Sequence, residues 1–311
     1  MNVVRAAMTQ TCNAYAPMPG RVEELDSLAG NLDDIRTANL EHHAELIGEA
    51  ARMGAQLVGL GELFAAPYFA LRRDEFWTGL AENAIAGPTA IFMAEVAKMH
   101  RLVIVAPLYE LDGATGQRYN TTVVIDADGS VLGKYRKTHI PVGSNEQGSF
   151  DEGFYYGPGQ TPQNPASPKV LGDNPSFPVF QTAVGRVGVA ICYDRHFEGV
   201  MRSLKQSGAQ IVLSPAVTFG PKSERMWEIE FEVDAARHGL FIGGSNRLGT
   251  EPPWNQPYFG RSHFVGPAGR CEKLSENPHL VVSDLNLGSL AASDPSGWDL
   301  PRDTRPDIYS R

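Results

Sequence analysis

Short apolar runs separated by helix-like stretches constrain this chain more than any other feature. Ala55 to Leu60, Leu102 to Leu108 and Val187 to Ile191 are four to eight residues of mostly aliphatic sequence, and each reads as a buried strand. Val3 to Met8, Ile211 to Ser214, Leu240 to Ser245, Tyr258 to Val265 and Leu280 to Leu285 supply further strands. Between them, Asp33 to Met53 carries Ile35, Leu40, Leu46, Ile47 and Ala50 at helical spacing. Pro88 can start a second helix running to His100, and helices are also expected from about His196 to Gln206 and from Glu224 to His238. Asp128-Gly129, between Tyr119 to Ile125 and Ser130 to Lys134, is the best hairpin signal. A second hairpin is expected around Gly185-Arg186, between Pro178 to Thr182 and Val187 to Ile191. This alternation predicts an α/β fold with mixed sheets, and the pattern alone leaves the number of sheets open.

The chain has 311 residues, with no linker dividing it, which suits one large α/β domain over 1–311. Gly157 to Asn174, rich in Pro, Gly, Gln and Asn, is expected to be a surface loop. The polar, proline-bearing tail from about residue 294 is expected to lie at the surface or at a subunit interface. The net charge of -9 argues against a nucleic-acid groove, which needs a basic face. Three cysteines without a CxxC make no disulfide framework, so a reducing cytoplasm is the expected location. Met1 to Thr11 lacks the apolar core of a secretory signal, and no apolar run approaches the roughly 20 residues that span a bilayer.

Chemistry is expected where strands end. Cys192 follows the run Val187 to Ile191 and precedes a helix-like segment, whose N-terminal N–H groups would favour a thiolate. A free cysteine is more ordinarily a small buried hydrophobe. Two other segments bear on that choice: Glu62 lies just past the strand ending at Leu60, and Lys137 lies just past the strand that starts at Ser130. A thiol that attacks a carbonyl or nitrile carbon needs a base, and Glu62 can serve. The developing oxyanion needs positive charge or donors, which Lys137 and the Tyr193 backbone N–H can supply. Taken singly, Glu62 and Lys137 would be solvated surface charges, with Lys134 a local alternative; as a set they have complementary roles.

These segments carry a resemblance. Gly61-Glu62-Leu63-Phe64, Tyr135-Arg136-Lys137-Thr138-His139 and Cys192-Tyr193-Asp194-Arg195 stand in the order of the three motifs of the nitrilase superfamily of carbon–nitrogen hydrolases. The resemblance covers nearly the whole chain, and Arg302 to Tyr309 also looks family-like. It implies a four-layer α-β-β-α sandwich of two six-stranded sheets, a Glu-Lys-Cys triad, and no metal or organic cofactor. It implies a second glutamate as well, carried over to Glu152 in Phe150-Asp151-Glu152-Gly153, with Glu146 as the competitor. A homodimer or larger homo-oligomer is the implied assembly.

Within the superfamily the chain most resembles N-carbamoyl amino-acid amidohydrolases of the β-ureidopropionase kind. The segments Lys137 to Pro141, Glu152 to Tyr156, Cys192 to His196 and Ser245 to Glu251 carry that likeness. The implied substrate is a small ureido acid, cleaved to amino acid, ammonia and carbon dioxide. The implied substrate contacts are Tyr193, Arg195 and Arg247 for oxyanion or carboxylate, with His139 and His196 shaping the pocket. The chain departs from some β-ureidopropionases in beginning almost directly at its first strand and in its 157–174 loop. An aliphatic or aryl amidase, an ω-amidase, a nitrilase or a non-catalytic interaction subunit are the alternatives.

Overall fold

A computed structural model describes residues 3–161, 163–293 and 296–308. The first half alternates β1 (Val3–Thr9), α1 (Leu32–Arg52), β2 (Leu57–Gly59), α2 (Pro88–His100), β3 (Val103–Leu111), β4 (Arg118–Ile125) and β5 (Val131–Arg136). The one-turn α3 (Glu152–Tyr155) leads to β6 (Val170–Leu171), β7 (Val179–Thr182), β8 (Gly185–Val189) and α4 (Glu198–Gln206). Then follow β9 (Ile211–Pro215), α5 (Pro221–His238), β10 (Phe241–Ser245), β11 (His263–Gly266), β12 (Gly269–Arg270) and β13 (Leu280–Asn286). Two small hairpins lie outside the sheets, Gly143–Ser144 with Ser149–Phe150 and Leu248–Glu251 with Gln256–Phe259.

One sheet has the order β13-β1-β2-β3-β4-β5, the other β12-β11-β10-β9-β8-β7-β6. Each is parallel at its centre and antiparallel at its flanks. The second sheet therefore holds seven strands rather than the expected six; its two-residue edge strands β6 and β12 are too short to carry a sequence pattern. Along β3, Val103 and Val105 share a core with Val187, Val189 and Leu213 of the other sheet. Ile104, Ala106 and Leu108 between them pack with Ile47, Met93 and Ala97 of α1 and α2. Both faces of the strand are thus buried, which is why the run is apolar throughout rather than alternating. Trp227, Phe231 and Ala235 of α5 and Met201 and Leu204 of α4 close the opposite face of the second sheet. The layers are helices, sheet, sheet, helices.

Local rules fix the helices. Pro88 and Pro221 occupy first turns, where their missing N–H groups cost nothing, and Gly239 ends α5 in the left-handed conformation at φ 60°. The Tyr258 to Val265 stretch, expected as one strand, is two. Gly260 and Arg261 both take positive φ, 67° and 55°, and turn the chain from the small hairpin into β11. The 157–174 loop does more than cover the surface. Asn164 accepts from Lys134 N–H and donates to its carbonyl, and Gln163 accepts from Arg136 N–H, so the open edge of β5 is occupied. Of the expected interfacial tail, residues 294–295 and 309–311, Tyr309 included, lie outside the described residues; Leu300–Asp303 form a short helix. Among the described residues no helix is long and apolar enough to cross a membrane.

Candidate active site

β5 lies antiparallel to β4, which lies antiparallel to β3, so β2, β3 and β5 point the same way. Glu62 and Lys137 follow β2 and β5 and emerge on one side of the sheet. Both are fully buried. Lys137 Nζ lies 2.9 Å from Glu62 Oε1 and 2.6 Å from Glu152 Oε2. Burial opposes the lysine charge, yet the Glu152 and Glu62 carboxylates outweigh it and hold the ammonium above its ordinary pKa. Glu62 is fixed from three sides: Asn120 Nδ2 donates to Oε1 at 2.7 Å and the Val217 N–H donates to Oε2 at 2.7 Å, besides the lysine. Glu152 takes a second bond from the Tyr68 hydroxyl, 2.8 Å from Oε1. Burial, helped by the Glu62 charge, raises the Glu152 carboxyl, and Lys137 and Tyr68 oppose that. Glu146 makes no such contact. It sits on the 143–150 hairpin, where its carboxylate accepts from the Lys222 N–H in the first turn of α5 at 3.0 Å.

Cys192 comes from the other sheet, separated from the end of β8 (Gly185–Val189) by Ala190 and Ile191. It opens a five-residue 3-10 turn, Cys192–His196, not the α-helix proper. Its own φ is 48°, a left-handed value that a side-chain-bearing residue rarely takes. Asp194, fully buried, holds this turn: its carboxylate accepts from Ile191 N–H at 3.0 Å, Tyr135 hydroxyl at 2.7 Å and His139 N–H at 2.9 Å. The expectation of a thiol predisposed to ionise is corrected. Burial, with the Glu62 charge adding to it, pushes the Cys192 thiol up to about 12, against the pull of Lys137 and Arg195. The resting Cys192 side chain is a neutral thiol, so any attack by its sulfur would require a base at the moment of reaction.

Cys192 and Glu152 line a cavity of about 550 Å³, a size that suits a small molecule. Tyr193, Arg195 and His196 line it, with Phe150, Thr218, Phe219, Lys222 and Glu230 among the other walls. Arg195 Nη1 donates to the Cys192 carbonyl at 2.8 Å and lies 3.9 Å from Sγ. Glu230 of α5 neutralises this side, 3.3 Å from Arg195 Nε and 2.6 Å from His196 Nδ1. Two expected substrate contacts lie outside the cavity lining. His139 is bonded through Nδ1 to Asp194 at 2.7 Å and stacks on Phe197 at 3.8 Å. Arg247 is buried, paired with Glu251 and bonded to main-chain carbonyls beneath the Glu62 turn. Tyr68, Asn120 and Glu230 were not singled out in the sequence, where each is a solitary polar residue outside any motif.

A model of the family described as "Carbon-nitrogen hydrolase" matches residues 34–293. The chain is 31% identical to a β-ureidopropionase of Arabidopsis thaliana, over 99% of this chain and 72% of that one. It is 32% identical to an N-carbamoylputrescine amidase of Oryza sativa subsp. japonica, over 89% of each chain. Among solved structures, a carbon–nitrogen hydrolase from Helicobacter pylori G27 shares the fold, with a TM-score of 0.76 and 24% identity over 99% of this chain and 97% of that one. Four layers, motif order and these likenesses agree: the chain belongs to the carbon–nitrogen hydrolase family of the nitrilase superfamily.

Proposed function

We propose that this carbon–nitrogen hydrolase cleaves small N-carbamoyl amino acids through a carbamoyl thioester (a thiocarbamate) on Cys192. The observation that carries the reading is one buried ammonium, Lys137, gripped by Glu62 and Glu152 where a strained cysteine enters the cavity. Glu62 takes the Cys192 proton as sulfur bonds to the carbamoyl carbon and the carbonyl electrons move to oxygen. Lys137 and the Tyr193 N–H face that oxyanion. The carbonyl reforms, the C–N bond breaks, and the nitrogen leaves as ammonia after protonation by a glutamic acid. Glu152 suits the donor role, since burial, helped by the Glu62 charge, raises its carboxyl and eases proton uptake. Water, deprotonated by a glutamate, then displaces sulfur. The carbamic acid so freed loses carbon dioxide and leaves the amino acid.

Arg195, 3.9 Å from the sulfur, is the proposed partner of the substrate carboxylate, with His196 beside it. A second reading has support of its own. The Glu230 and Glu146 carboxylates also line the cavity, and an amine-tailed carbamoyl compound would meet them. Ammonia release from N-carbamoyl-β-alanine, N-carbamoyl-D- and L-amino acids, N-carbamoylputrescine and simple amides decides between the two. The ureido acids should give the highest kcat/KM; preference for the carbamoylated amine would reverse the assignment. Cys192→Ala should abolish turnover and the mass of a trapped adduct, while Cys12→Ala and Cys271→Ala should retain both. Glu62→Gln and Lys137→Ala should each cost about 10²–10³ in kcat. Full activity in Cys192→Ala would end the proposal.

A further inference from the structure

The small hairpin Leu248–Glu251 with Gln256–Phe259 belongs to neither sheet, yet Glu251 in it and Arg247 just before it reach toward the site. Arg247, just before its first strand, is 3% exposed and is paired through Nη1 with the buried Glu251. Its Nη2 donates to three carbonyls of a single turn: Glu62 at 3.2 Å, Leu63 at 3.1 Å and Ala66 at 2.9 Å. That turn needs holding, because Leu63 has φ 50°, a left-handed value unfavourable for a leucine. Glu251 faces the other way. Its Oε2 accepts from the Tyr68 N–H at 2.9 Å, and its Oε1 from the Asn13 N–H at 2.7 Å. The Tyr68 hydroxyl in turn donates to Glu152.

One ion pair thus leads to both carboxylates that grip Lys137. We infer that Arg247 and Glu251 are positioning residues, Arg247 fixing the main chain that carries Glu62 and Glu251 fixing Tyr68 and through it Glu152, and that Arg247 does not receive substrate. The inference rests on the proposed roles of Glu62, Lys137, Glu152 and Cys192. Arginine is required for its reach: a planar fork can bond a carboxylate with one nitrogen and a cluster of carbonyls with the other, and a lysine ammonium cannot span both. Each group is buried, so a bond lost here is not replaced by water.

The test compares Arg247→Lys and Tyr68→Phe with the wild-type enzyme on N-carbamoyl-β-alanine and on neutral propionamide. Arg247→Lys should lower kcat at least tenfold on both, with KM within about threefold on each. Tyr68→Phe, which removes one oxygen and is the milder change, should lower kcat about tenfold on both. It should also move the Glu152-dependent limb of the kcat/KM profile to higher pH, because the lost hydroxyl had opposed the effect of burial on that carboxyl. A KM rise confined to N-carbamoyl-β-alanine in Arg247→Lys, with kcat kept, would make Arg247 a carboxylate receptor and overturn the inference. So would a Tyr68→Phe enzyme with wild-type kcat and an unmoved pH profile, even if Arg247→Lys failed to fold. Turnover surviving in Cys192→Ala would overturn the inference by a different route, by removing the reading it rests on.

Discussion

At Cys192 two costs coincide. Its backbone is left-handed, and its sulfur lies in a place that disfavours the anion. The second keeps the sulfur protonated at neutral pH. The second cost has a thermodynamic signature. A thiol ordinarily near 9 that is held up to about 12 in the fold keeps its proton while the unfolded chain loses it. Its contribution to stability is therefore complete below about pH 9 and declines as pH rises toward the folded value, by about 1.4 kcal/mol per pH unit. Cys12, up to about 12, and Cys271, up to about 11, act in the same direction for the same reason of burial. Urea unfolding at pH 8 and pH 10.5 should show Cys192→Ala losing about 1–2 kcal/mol less than wild type across that interval. Equal losses in the two proteins would mean that the sulfur is not desolvated.

The elements around the site divide into those that announce themselves and those that do not. Glu62 and Cys192 were legible because each closes an apolar run, and Lys137 because it follows the strand after a clear hairpin signal; β2, β5 and β8 lead to all three. Helix α2 was legible to its ends, Pro88 and His100, because proline starts it and its interior is unbroken by glycine or proline. Tyr68 and Asn120 were not, since a lone polar residue has no periodicity and its partner lies 58 to 183 positions away in sequence. The 143–150 hairpin was also missed; it pairs only Gly143 with Phe150 and Ser144 with Ser149. Its tip is latched to α5, Asn145 Nδ2 donating to the Phe219 carbonyl at 2.9 Å and Glu146 accepting from Lys222 N–H. Glu146 thereby does for α5 what its own Gly220, with no side chain, cannot do as an N-cap. The tip walls the cavity and its second strand runs into Glu152 two residues on. Removing the latch in Glu146→Ala frees the tip of the cavity wall, so KM should rise severalfold with kcat held within twofold. Steady-state kinetics on the best ureido acid would check it; an unchanged KM would show that the hairpin stands without its latch.

On the scale of the whole molecule, the site is a joint between two sheets. Glu62 and Lys137 follow strands of one and Cys192 a strand of the other, so the spacing of the layers would set how the thiol meets its proposed base. The strand ends are tied directly: Ser245 Oγ donates to the Thr9 carbonyl at 2.7 Å, and the N–H of Val217, just past β9, donates to Glu62, just past β2. Consecutive glycines in β10 face the two interfaces of that sheet. A Cβ on Gly243 would lie 2.8 Å from Met8 Sδ across the inter-sheet core and 2.5 Å from Phe264. A Cβ on Gly244 would instead lie 2.8 Å from Trp227 of α5 and meet Phe231 as well. Both alanine variants overpack the core, at a cost of about 1–3 kcal/mol each. Their effects on chemistry should part. Gly243→Ala pushes the sheet bearing Cys192 away from the sheet bearing Glu62, so kcat should fall at least tenfold in protein that is still folded. Gly244→Ala displaces a helix on the far face, so its kcat should stay within about threefold while its melting temperature falls comparably. Melting temperature and kcat measured side by side on the two variants separate layer spacing from stability. If both lost activity in proportion to stability, the distance between the sheets would not be what tunes the thiol to its base.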